Sequence, residues 1–81
     1  MVQPVTSQMI VDILQSKVGV PADTPNIETA TWDELGVESL GLSETFASLE
    51  LLLDVSIPHE QALSTKNVQE LTELVNEQIL G

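Results

Sequence analysis

Apolar residues recur at three- and four-residue steps in three separate stretches of this chain, and that spacing limits its fold more than any other feature. Between Thr6 and Val18 the set is Met9, Ile10, Ile13, Leu14 and Val18. Between Ser39 and Leu53 it is Leu42, Phe46, Leu49 and Leu53. After Asn67 it is Val68, Leu71, Leu74, Val75 and Ile79. Each set falls on one face of an α-helix. No stretch shows the convincing alternation of a half-buried strand. The spacing predicts an all-α fold: a small four-helix bundle of three main helices and one short one, with a long first loop.

Local signals mark the ends. Thr6 or Ser7 can cap the first helix, and Gly19 followed by Pro21 stops it. Pro21 to Ser39 is a long connection. Loops of that length in a small domain are uncommon unless they pack or work. Ile27, Trp32 and Leu35 are its apolar members and are expected to pin it over the helices. Thr31-Trp32-Asp33-Glu34 has capping-box spacing, which predicts a single helical turn ending at Gly36. Gly41 weakens the first turn of the second helix by about 1 kcal/mol relative to Ala. Asp54 to Pro58 reads as an extended connector, because Pro58 disfavours helix at the residue before it. A short helix is expected over Glu60 to Leu63. Asn67-Val68-Gln69-Glu70 begins the last helix with a box-like cap.

With 81 residues the chain is read as one domain, 1–81. A domain this short buries only roughly 60% of its surface, so its core must be well patterned. The apolar fraction of 42% is too high for a disordered chain. There is no cysteine, which excludes disulfide scaffolds, Cys-based zinc sites and thiol catalysis by the chain's own side chains. Thirteen acids face only Lys17 and Lys66, a net charge of -11. That field repels nucleic acid and anionic membranes and favours partners with basic patches; it also keeps a chain soluble. Met1-Val2-Gln3-Pro4 shows no signal-peptide pattern and no run is long enough to span a membrane, so the expectation is a cytoplasmic monomer.

Catalytic constellations are wanting. His59 is the only histidine, follows Pro58, and is expected to be exposed and inert. Asp33-Glu34 and His59-Glu60 are adjacent pairs that point apart on a helix. Gly36 and Gly41 lack phosphate-loop spacing. In Leu51-Leu52-Leu53, successive residues sit about 100° apart around the axis. Leu53 joins the Leu49 face, and Leu51 or Leu52 should be exposed, as ordinary surface leucines or as a docking patch.

Ser39 admits two readings. A serine at a helix start is an ordinary N-cap. It is also a place where a phosphoester would sit beside free N–H groups and the positive end of the helix dipole. Glu38, Glu44, Glu50 and Asp54 give the neighbouring surface an acidic character suited to a basic partner.

Asp33-Glu34-Leu35-Gly36-Val37-Glu38-Ser39-Leu40 resembles the motif of acyl carrier proteins, in which Leu-Gly, two residues and Ser-Leu surround the attachment serine. Ile57-Pro58 looks like the family's connector between its second and third helices, and the order of helices matches across essentially the whole chain. Ser39-Leu40-Gly41-Leu42-Ser43-Glu44-Thr45 is similar to the "SLALxET" form of carriers of type II aromatic polyketide synthases. Fatty acid carriers tend to read Asp-Ser-Leu-Asp. The resemblance implies a non-catalytic carrier with 4'-phosphopantetheine, taken from coenzyme A, attached to Ser39. The thiol of that group would hold malonyl and growing acyl groups as thioesters, so a chain without cysteine can serve thiol chemistry. It implies a phosphopantetheinyl transferase, a ketosynthase with its chain-length factor, a malonyl transferase, a ketoreductase and tailoring enzymes as partners. Fatty acid, aminoacyl or other specialised cargo is the alternative; an unmodified acidic interaction module is the rival from another class. By the same resemblance Glu38, Leu40, Glu44, Ala47 and Glu50 would meet partners. Leu42, Phe46, Leu49, Ile57, Ala62, Val68, Leu71 and Val75 would line an interior able to shelter acyl chain. Three departures stand out: Glu38 in place of the usual Asp, fewer acids over Ala62–Thr65, and an apolar Leu51-Leu52.

Overall fold

The computed structural model describes residues 4–80. The reading of Met1-Val2-Gln3, and the ends of the 1–81 domain, lie outside the described residues. Among those residues there is no strand. The helices are α1 (Ser7–Ile13), α2 (Trp32–Leu35), α3 (Ser39–Leu53), α4 (His59–Leu63) and α5 (Val68–Leu80). α1 runs on into a wider π-helical turn over Leu14–Val18. Three long elements, two short ones and a long first loop are thus present. α1 packs against both α5 and α3, and α4 packs against α3.

Each boundary has a local cause. Thr6 caps α1 by accepting from the Met9 N–H. The π turn closes on a single carbonyl: Gly19 N–H and Val20 N–H both donate to Leu14 O, at 2.9 and 3.0 Å. Asn67 Oδ1 accepts from Glu70 N–H at 2.8 Å at the head of α5, and Glu70 Oε1 accepts from Lys66 N–H at 3.0 Å. α4 begins at His59, one residue before the expected start. Asp54 is not extended as the connector reading has it: it caps α3 in the left-handed region at φ 53°.

The buried side chains form one cluster. Ile10, Val11, Ile13 and Leu14 enter it from α1 and the start of the π turn. Leu42, Phe46 and Leu49 enter from α3, and Val68, Leu71 and Val75 from α5. Val11 was not in the expected stripe. It is buried because α1 lies between two helices, so its apolar arc is wider than one face. Met9, Val18, Leu53, Leu74 and Ile79 border the cluster only partly buried.

The long loop is stitched down rather than free. Trp32 is buried, its Nε1–H donates to Thr65 O at 2.8 Å, and its backbone N–H donates to Lys66 O at 3.0 Å. Gln69 N–H, unpaired within α5, donates to Glu28 O at 3.1 Å. Ile27 and Leu35 are half-buried beneath it. At the opposite end, Asn76 clasps Val5, just ahead of α1. Its Oδ1 accepts from Val5 N–H at 2.7 Å and its Nδ2–H donates to Val5 O at 3.0 Å.

Candidate functional site

The approach to Ser39 is built by α2. Thr31 and Glu34 form a true capping box: Thr31 Oγ1 accepts from Glu34 N–H, and Glu34 Oε1 accepts from Thr31 N–H at 2.8 Å. The Thr31 backbone N–H, helped by the Thr31 hydroxyl, holds the Glu34 carboxyl below the usual carboxylate range. α2 then ends in a Schellman turn. Gly36 N–H donates to Asp33 O at 3.1 Å and Val37 N–H donates to Trp32 O at 2.9 Å. That turn needs a left-handed residue, and Gly36 supplies it at φ +73°. Val37 goes inward and is buried with Trp32, as the motif's hydrophobic contact requires. Burying Val37 throws Glu38 and Ser39 outward, and both are exposed.

Ser39 is not the N-cap of α3. Glu38 holds that position in an extended conformation, and no side chain caps the helix. The reason is a register of one: the Schellman turn leaves two residues before helical geometry begins at Ser39. The Ser39 hydroxyl has no hydrogen-bond partner among the described residues, and the first-turn N–H groups are left uncapped. An exposed, unbonded hydroxyl at the positive end of a 15-residue helix suits an attached phosphoester.

The exposed face of α3 carries Leu40, Glu44, Ala47 and Leu51, spaced four, three and four residues apart and so aligned. Leu40 is 74% exposed and Leu51 86%. Leu51, expected to be exposed as a surface leucine or as a docking patch, continues that line. Glu50, expected to meet partners, makes bonds within the chain. Its Oε2 accepts from Ile57 N–H at 2.9 Å and its Oε1 pairs with His59 Nε2 at 3.1 Å, leaving the side chain 28% exposed. The Ile57 N–H, then His59, lower its pKa. His59 in turn is not idle: its ring stands edge-on to Phe46, centroids 5.4 Å apart. Leu42, Phe46, Leu49, Ile57, Ala62, Val68, Leu71 and Val75 are all buried.

An open groove of about 330 Å3 runs beside Ser39, lined by Lys17, Val18, Gly36, Glu38, Leu40, Gly41 and Glu44. Of these, Lys17, Val18 and Gly41 were not anticipated. The one available signal was a glycine in the first turn of a helix, where it costs stability without visible return. Thr45, polar in the sequence, is fully buried because its Oγ1–H donates to Gly41 O at 2.9 Å within its own helix.

A small helical bundle whose middle long helix opens on an exposed, unbonded serine has the build of a phosphopantetheine carrier. The chain matches the family described as "Phosphopantetheine attachment site" over residues 8–75. It is 37% identical to an acyl carrier protein of Syntrophobacter fumaroxidans, over 76% of each chain. It is 35% identical to one of Chlorobium phaeobacteroides, over 84% of this chain and 87% of the other. Among solved structures it is similar to the actinorhodin holo acyl carrier protein of Streptomyces coelicolor, at 27% identity and TM-score 0.80, covering 98% of this chain and 95% of that one. The chain belongs to the acyl carrier protein family: a non-catalytic carrier with covalently attached 4'-phosphopantetheine, which works with a phosphopantetheinyl transferase and with synthase enzymes. No helix among the described residues is long and apolar enough to cross a membrane.

Proposed function

We propose that Ser39 is the residue that receives phosphopantetheine, and that the chain works as a single carrier domain, 1–81, of a type II aromatic polyketide synthase. The observation that carries the first part is the Ser39 hydroxyl: exposed, free of hydrogen bonds, and set at the uncapped start of α3. When bound, the group supplies the thiol on which malonyl and acyl groups travel, a function this cysteine-free chain cannot supply itself. The Schellman turn at Gly36 presents the hydroxyl. Glu38 and Leu40 flank it without covering it. Leu40, Glu44 and Ala47 offer partners a mixed apolar and acidic stripe, with Glu38 at its head.

The polyketide assignment is supported by likeness to actinorhodin carriers over nearly the whole chain, including one bearing a 3,5-dioxohexyl triketide mimic at 28% identity. The Ser39–Thr45 segment supports it too. Its partners would be a ketosynthase with chain-length factor, a malonyl transferase and a ketoreductase, met in the cytoplasm by a monomer. A net charge of -11 opposes self-association and speeds encounter with basic entrances. Leu42, Phe46, Leu49 and the α4 and α5 residues facing them would have to part to admit cargo. The Glu50–His59 pair, which ties α3 to the head of α4, resists that parting.

The test is incubation with a broad-specificity transferase and coenzyme A, read by intact mass. One phosphopantetheine-sized gain is expected, and none in Ser39→Ala. Because the hydroxyl bonds to nothing among the described residues, that variant keeps its stability within about 0.5 kcal/mol of the parent. A gain that survives in Ser39→Ala sinks the assignment. The malonylated holo chain is then offered to a type II polyketide ketosynthase pair and to a fatty acid ketosynthase. Faster extension by the latter removes the polyketide part and leaves the carrier.

A further inference from the structure

We propose that the groove beside Ser39 seats the pantetheine arm against this chain's own surface, with Lys17 as its cation and Val18 and Leu40 as its apolar walls. The inference rests on Ser39 as the attachment residue. Three features of the molecule carry it. The groove adjoins the attachment residue without including it: Glu38 and Leu40, the neighbours of Ser39 on either side, line it, and Ser39 does not. It is a shallow groove open to solvent, of about 330 Å3, able to hold a chain laid along it but not to enclose one. And its lining is of two kinds, apolar at Val18 and Leu40, charged at Lys17, Glu38 and Glu44.

The arm is of two kinds as well. It begins in an anionic phosphodiester and continues through a geminal methyl pair and two amides to a thiol. A phosphodiester on Ser39 puts a new anion beside Glu38 in a chain already at -11. Lys17 is one of only two lysines, is exposed, and makes no ion pair among the described residues. It is the one cation lining this groove. The methyl pair matches Val18 and Leu40, and the amide N–H groups match the carboxylates of Glu38 and Glu44.

Gly41 fixes the wall. A Cβ there would meet Val18 Cγ1 at 3.0 Å and Val37 Cγ1 at 3.3 Å. Without one, the π turn that carries Lys17 and Val18 lies directly against the first turn of α3. A glycine that costs the helix about 1 kcal/mol thereby brings both groove walls together next to Ser39.

The experiment compares apo and holo chains by NMR after intact mass has confirmed loading. Nuclear Overhauser contacts are expected from the arm's geminal methyls to Val18 and Leu40 methyls, with shift changes at Lys17 on loading. Lys17→Glu, an exposed change whose folding is checked by its amide spectrum, should lose those contacts, and Lys17→Arg should keep them. Gly41→Ala should weaken them by pushing Val18 away. A chain that gains no mass overturns both readings at the first step. A loaded chain whose arm methyls contact the α3–α4 seam, or nothing, overturns the groove alone, as do contacts that persist unchanged in Lys17→Glu.

Discussion

At its C-terminal end α3 is held by one carboxylate. Glu50 reaches Ile57 N–H and His59 together, and His59 lies against the edge of the fully buried Phe46. At its N-terminal end no side chain caps it: Glu38 makes no cap hydrogen bond and the Ser39 hydroxyl is unbonded. The same helix is therefore closed at one end and open at the other. The open end leaves donors and a nucleophile without partners, which costs stability and keeps them available for chemistry. The closed end and the core beneath it supply the stability that makes an open end tolerable.

The most direct way to break this contrast is to empty the closed end. Phe46→Ala removes a ring with no exposed surface, and such truncations cost about 3–5 kcal/mol. A domain of this size has about 4–12 kcal/mol in all. Chemical denaturation should find the variant marginal or unfolded at ambient temperature, whereas Leu51→Ala, at 86% exposure, should stay within about 0.5 kcal/mol of the parent. Similar losses at both positions would mean that α3 does not divide this way.

Glu50→Gln is milder and tests the tie itself. Two interactions to a charged acceptor are weakened, but the site is partly solvated, so about 1 kcal/mol is expected. The sign with pH follows from the bonds. The folded Glu50 carboxyl lies below its ordinary 4.5, held down first by the Ile57 N–H and then by His59. Its contribution is complete above that ordinary value and fades as pH falls through the folded one. Urea midpoints of parent and variant should therefore differ at neutral pH and converge well below 4.5. A gap that persists undiminished well below 4.5, where the Glu50 carboxyl is protonated, contradicts the tie.

Much of the open end was legible because its devices are local. Thr31 with Glu34, then Gly36 before an apolar Val37, spell a cap, a stop and an inward turn within seven residues. Those residues fix where Ser39 emerges. Trp32 could be read as an anchor from its size, though not its partner Thr65, which is remote in sequence. The closed end was not legible. It depends on Asp54 ending α3 at a positive φ; aspartate tolerates that region, but no glycine marks the turn and Glu50 is remote in sequence from Ile57 and His59. Of the two readings of Ser39, capping chemistry alone could not discard the cap, because it favours serine wherever a helix begins; the structure discards it by placing Glu38 at the N-cap. The groove was hidden for a third reason: Gly41 reads locally as a defect, and its purpose appears only when Val18, on another element, is brought against it.

The finest test gives the open end what α2 already has. Glu38 sits at the N-cap of α3 with a side chain one methylene longer than the residues that cap well, and it caps nothing. Glu38→Asp shortens it while leaving the net charge and the helix-dipole interaction in place, so a gain in stability reports the new hydrogen bond. The shorter carboxylate reaches the N–H of Leu40 or Gly41, as Thr31 Oγ1 reaches Glu34 at the head of α2. A gain of about 0.5–1 kcal/mol is expected, seen as a higher urea midpoint at unchanged slope. A midpoint that stays put would mean water already satisfies those donors as well as a side chain can. A fall would mean that the longer Glu38 makes contacts elsewhere that outweigh a cap, and the two ends of α3 would then differ less than their hydrogen bonds suggest.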